Sequence, residues 1–150
     1  MTEPTLDILI LDIDGVLNTR EDLLQEVEIT KVCMDELERI VETTGCKIVI
    51  SSSWRCLGKK HIVRMFNHAL GRVGSAVRAI VGMTPNRLKN SDLRGDEIQA
   101  WLDQNPNVGK IVILDDDVDM GHLIPHLVRT DPAVGLTPEI ADEVISRFQN

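Results

Sequence analysis

Short apolar blocks alternate along the chain with stretches in which apolar residues recur every three or four positions. The blocks are LDILILD at residues 6–12, KIVIS at 47–51, RAIVGM at 78–83, KIVILD at 110–115 and HLVRT at 126–130. Runs of this length, rich in Ile and Val, predict strands buried on both faces of a sheet. Between them, Val32, Leu37, Ile40 and Val41 fall near helical spacing and predict a helix over 29–44, stopped by Gly45. Ile62, Val63, Phe66 and Leu70 predict another over 59–70, with Gly71 after it. The segment GDEIQAWLDQ at 95–104 carries acids in its first turn, where they meet the positive end of the helix dipole. Thr137 followed by Pro138 caps a final helix. Strands alternating with helices predict an α/β fold, a doubly wound parallel sheet of about five strands with right-handed crossovers.

The chain has 150 residues and no repeat or linker, so one domain over 1–150 is expected. No apolar run approaches the roughly 18 residues of a membrane helix, and the acidic start MTEPTLD is unlike a signal peptide. Cys33, Cys46 and Cys56 form no CxxC pair, which points to reduced thiols in the cytoplasm rather than to disulfides or structural zinc.

The net charge of -8 is unevenly spread. Residues 1–54 carry 12 acids and 4 bases, and residues 95–150 carry 11 acids and 3 bases. Residues 55–94 reverse the sign, with 9 bases and one acid. Such segregation predicts that this segment meets an anion. Arg55, Lys59, Lys60, Arg64, Arg87 and Lys89 are the candidate docking residues, with Ser52 beside them as a substrate contact or a turn residue. The alternative is a solvated helix face that offsets acids elsewhere. The overall negative charge favours a short local contact with a polyanion over extended wrapping.

Candidate chemistry gathers at the strand ends. Asp12 and Asp14 stand one residue apart at the end of the first block, Ser51 ends the second, and Asp115 and Asp116 end the fourth. In a doubly wound sheet ligands bind outside the carboxyl ends of the strands, so these residues converge on one crevice. Crowded carboxylates repel one another unless a cation sits among them. Mg²⁺, a hard cation that takes oxygen ligands together with phosphate, suits Asp12, Asp14, Asp115 and Asp116. A receiver-like phosphoacceptor domain would cluster acids in the same way, so the acids alone leave the reaction open. Two readings stay open for Trp54, a stacking surface for a base or a buried anchor, and two for Asp119, support of the metal site or a solvated acid. The four histidines show no metal-ligand spacing.

LDIDGVL resembles the first motif of the haloacid dehalogenase superfamily, KIVISSSWR its second, and IVILDDD its fourth. Arg94, opening RGDEIQAWL, resembles the basic third motif, with Lys89 as the alternative. The form with a second aspartate resembles the phosphatase and phosphotransferase branches. The combination of motifs is similar to compact members associated with RNA repair, relatives of the phosphatase domain of polynucleotide kinase-phosphatases. The resemblance implies a Rossmann-like core without a large cap, and a Mg²⁺-dependent phosphatase. It implies that Asp12 is the nucleophile that becomes an aspartyl-phosphate, and that Asp14 is the general acid and base. Ser51 and Arg94 would hold the phosphoryl group, and Asp116 would be the acidic metal ligand with Asp115 in support. An open site suits a phosphorylated end of a nucleic acid. A phosphoprotein or small-phosphoester phosphatase and a non-catalytic phosphate-binding module are the alternatives.

Overall fold

The computed structural model describes residues 5–85 and 93–150. In chain order the elements are β1 (Leu6–Leu11), α1 (Arg20–Leu24), α2 (Lys31–Thr44), β2 (Lys47–Ile50), α3 (Lys59–Leu70), α4 (Ser75–Ala79), β3 (Ile80–Met83), α5 (Arg94–Asp103), β4 (Val108–Asp115), β5 (Leu127–Arg129) and α6 (Pro138–Gln149). Two 3-10 turns, Ser53–Leu57 and Gly121–His126, complete the set.

All five strands pair in parallel, in the order β3-β2-β1-β4-β5. This is the doubly wound sheet that the pattern predicts, with no cap domain among the described residues. The chain winds outward from β1 to β2 and β3, then returns to β4 and β5 on the other side. The winding direction therefore reverses between β1 and β4, which opens a crevice at their carboxyl ends.

Alternation along β1 feeds two cores. Leu9 and Leu11 enter the larger one with Leu37, Ile40, Ile48, Phe66, Val144 and Phe148. Ile8 and Ile10 enter the smaller one with Val49, Ile98, Ile113 and Met120. Helices α2, α3, α4 and α6 cover the first face, and α5 with the Gly121–His126 turn covers the second. Burial on both faces is the reason residues 8–11 of β1 read as an apolar run.

The helix signals are realised locally. Thr30 caps α2 by accepting from the Cys33 N–H, and Gly45 ends it at φ 72°. Thr137 caps α6 by accepting from the Ile140 N–H. Other expectations are revised. Val32 is exposed, because the buried stripe of α2 runs through Cys33, Met34, Leu37, Ile40 and Val41. The third strand starts at Ile80, two residues later than expected, because α4 takes up residues 75–79. Glu38 draws the chain into that turn, since its buried carboxylate accepts from the N–H groups of Ser75 and Ala76. Helix α1 has no buried residue and hence no apolar stripe to betray it; a capping box between Thr19 and Asp22 forms it. No helix among the described residues is long and apolar enough to cross a membrane. Cys33, Cys46 and Cys56 are free thiols.

Strand register sets out the carboxyl edge. Asp12 N–H donates to Leu114 at 3.0 Å, Ser51 N–H to Leu11 at 2.8 Å, and Thr130 N–H to Asp115 at 3.0 Å. Ser51, Asp12, Asp115 and Thr130 thus stand in one row. Helix α5 enters beside this row, and there its backbone meets the loop after β4. A Cβ on Gly95 would run into the backbone carbonyl of Met120. Gly95→Ala is expected to cost about 1–3 kcal/mol through overpacking, visible as a lowered Tm; an unchanged Tm would show that the loop yields freely.

Candidate active site

The turn after β1 delivers two aspartates in different directions. Asp12 is buried, and its Oδ1 accepts from the Ile13 N–H at 2.8 Å. Gly15 then turns the chain at φ 80°, and the space its missing Cβ leaves is filled by the Asp116 carboxylate. Asn18, wholly buried, accepts from the Gly15 N–H at 2.8 Å and donates to the Asp14 carboxylate at 3.0 Å and the Glu28 carbonyl at 2.7 Å. Thr130 Oγ1 donates to the Gly15 carbonyl at 2.7 Å.

Asp12, Asp115 and Asp116 converge, with one carboxylate oxygen from each within 4.8 Å of the others. The side chain of Asp14 is outside this group. It accepts from Asn18 and from the Trp54 indole N–H, the latter at 3.1 Å. Asp115 is almost wholly buried; its Oδ1 accepts from the Asp117 N–H at 3.0 Å, while its buried Oδ2 has no hydrogen-bond partner among the described residues. Burial lifts the Asp12 carboxyl to about 6, against the pull of Arg94. Burial, joined by the charge of Asp12, lifts Asp115 to about 9. Hard oxygen donors, crowded charge and an orphaned carboxylate oxygen together fit Mg²⁺.

Arg94 is the charged partner already in place. Its Nη1 lies 3.8 Å from Asp12 Oδ1, its Nε lies 3.4 Å from Asp115 Oδ2, and its Nη1 also donates to the Ser51 carbonyl. Burial works against its charge, but Asp12, Asp115, Asp119 and Glu97 outweigh that and raise its pKa. Ser51 Oγ is buried at the same edge with no partner among the described residues. A buried hydroxyl and a guanidinium thus stand at the same edge as the carboxylates.

The other sequence candidates take varied places. Ser52 is buried, and its hydroxyl accepts from the Trp54 N–H to cap the Ser53–Leu57 turn. Arg55 is largely buried, donating to Glu97 Oε2 at 2.8 Å and to the Ser52 carbonyl at 3.1 Å, so it straps this turn to α5. Lys60 and Arg64 are exposed on α3, one turn apart. Arg87 and Lys89 lie outside the described residues. Asp119 accepts from the Arg94 N–H at 3.3 Å through Oδ2 and from the Gly95 N–H at 3.0 Å through its carbonyl, so it holds the start of α5. Trp54 packs against the larger core, as an anchor would, yet aims its indole N–H at Asp14.

Sequence reasoning missed Asn18 and Thr130. A polar residue closing the apolar turn GVLN, and a threonine ending the fifth apolar block, were the signals available.

The raised pKa of Asp115 has a consequence for stability. In the unfolded chain this carboxyl titrates near 3.8, and in the folded chain near 9. The folded state holds the proton more tightly, so the metal-free fold loses stability as pH rises across that window. Asp115→Asn is expected to flatten the loss and to raise the Tm of metal-free protein at pH 8. Thermal melts across pH check this, and a variant less stable than wild type at pH 8 would contradict it.

No curated protein matches the chain. A family model does match, over residues 8–141, and its span runs from β1 into α6 and so takes in Asp12, Ser51, Arg94 and Asp115. The chain belongs to the family described as the HAD domain in Swiss Army Knife RNA repair proteins.

Proposed function

We propose that this chain is a Mg²⁺-dependent phosphatase that removes phosphate from nucleic-acid ends in the cytoplasm. The observation that carries this reading is the row of Ser51, Asp12 and Asp115 at the point where the sheet reverses its winding, with Arg94 across it. The family's association with RNA repair supports the substrate class. The basic segment 55–94 supports an anionic macromolecule, and the free thiols support the compartment.

In this reading Asp12 attacks phosphorus, a P–O bond forms to its carboxylate, and the bond to the leaving oxygen breaks. Asp14 gives that oxygen its proton. Water then attacks the phosphorus of the aspartyl-phosphate, Asp14 takes a proton back, and Asp12 is released with inorganic phosphate. Ser51 Oγ and the Arg94 guanidinium steady the phosphoryl oxygens in both steps. Asp12, Asp115 and Asp116, with the backbone carbonyl of Asp14, would hold Mg²⁺. When bound it would supply the positive charge that lets one carboxylate approach an anionic phosphate.

A screen of phosphorylated oligonucleotides, phosphopeptides and small phosphoesters, with and without Mg²⁺, tests the reading. Turnover should require the metal and favour oligonucleotides. Asp12→Asn should abolish turnover and leave the fold intact; a variant with wild-type turnover would refute the nucleophile. Mg²⁺ at a hundredfold excess over Kd should stabilise the wild type by roughly 2.7 kcal/mol. Lys60→Glu with Arg64→Glu should raise KM for a phosphorylated oligonucleotide and leave a small aryl phosphate unchanged. Oligonucleotide affinity should fall with salt at a slope of about -0.7 per contacted phosphate.

A further inference from the structure

The Asp14 side chain is held in one attitude by two donors on the same oxygen. Oδ1 accepts the Trp54 Nε1–H at 3.1 Å and the Asn18 Nδ2–H at 3.0 Å. Neither donor can swing. Asn18 is wholly buried and bound at both ends, to Gly15 and Glu28. Trp54 has its backbone N–H on the Ser52 hydroxyl, its ring against the larger core, and a tilted contact with His61 at a centroid distance of 6.2 Å. Oδ2 of Asp14 has no protein hydrogen bond among the described residues. The Asp14 carboxylate is not part of the group that Asp12, Asp115 and Asp116 form.

A group that transfers a proton must present one atom in a set direction. We propose that Trp54, together with Asn18, is a positioning residue for proton transfer. The indole N–H anchors Oδ1 of Asp14, and Oδ2 is thereby the oxygen that gives the proton to the leaving group and receives one from water. The inference rests on the phosphatase reading above. The competing account is a tie that only holds the Ser53–Leu57 turn against the loop after β1. Leaving groups separate the two. A sugar alkoxide needs a proton to depart, whereas nitrophenolate departs without one. A lost tie harms both substrates alike, and a misaimed acid harms only the first.

Trp54→Phe keeps the ring and removes the N–H. Its kcat/KM, which reports the step in which the leaving group departs, should fall about tenfold or more for a phosphorylated dinucleotide. For nitrophenyl phosphate it should fall less than about threefold. In an Asp14→Asn background the same change should add less than about twofold on the dinucleotide, because the two residues act as one unit. Equal losses on both substrates, no loss on either, or full additivity in the double variant would overturn the inference. A second readout needs no turnover. The chain has two tryptophans, so Trp54→Phe assigns the Trp54 indole N–H signal in the NMR spectrum. That signal should move in Asp14→Asn and stay in place in Asp119→Asn; an unmoved signal in Asp14→Asn overturns the inference. A wild type inert toward every phosphoester would bring down the phosphatase reading and this inference with it. An active wild type whose Trp54→Phe loss ignores the leaving group would bring down the inference alone.

Discussion

Repulsion among Asp12, Asp115 and Asp116 is the constraint around which the carboxyl edge is organised. Leu11 pairs with Leu114 across the β1–β4 ladder, so the next residues, Asp12 and Asp115, must stand side by side. Asp116 follows directly and is drawn into the space above Gly15. The apolar strands beneath are buried and cannot slide apart without exposing Leu9, Leu11, Val112 and Leu114. The sheet therefore holds the acids where their own charges would separate them. Arg94 offsets part of that charge. The crowding that costs stability is also what attracts a cation to such a group of carboxylates.

The surroundings are braced accordingly. The loop after β1 is tied by Asn18 and by Thr130. The start of α5 is tied by Asp119 to the loop after β4, so the segment carrying two of the acids also places the arginine that answers them. Arg55 and Glu97 bind the loop after β2 to α5. Arg55 is held in this strap, while α3 presents Lys59, Lys60 and Arg64 as exposed bases. The segments that meet at this edge are thus tied to one another by hydrogen bonds. Such preorganisation is what electrostatic stabilisation of a phosphoryl group requires.

Much of this was legible in the residues. The apolar blocks mark the strands because β1, β2 and β4, at the centre of the sheet, are buried on both faces toward their carboxyl ends, a local signature. Helices α2 and α3 were legible by their apolar stripes and terminal glycines, α5 by the acids in its first turn, and α6 by Thr137 and Pro138 at its start. The acids at the ends of blocks one and four announced an edge that wants a cation. What escaped had no local signature. Helix α4 follows from Glu38, thirty-seven residues from the N–H it binds. Ser52 was open between a substrate contact and a turn residue, and its hydroxyl accepts from the Trp54 N–H; Arg55 pairs with Glu97, a partner that no local pattern announces.

By itself, then, the order of residues determined the alternating elements, the polar residues Asp12, Ser51 and Asp115 at three strand ends, and the sign of the charge in each segment. These follow from periodicity and from chain neighbours, and they need no knowledge of what packs where. Only the tertiary structure decided which acids meet. It brought Asp115 and Asp116 to Asp12 and turned Asp14 away to Trp54 and Asn18, although Asp14 is the nearer in sequence. The reason is physical. Sequence proximity brings backbones together, but the direction of a side chain is set by the donors and charges that distant strands place around it.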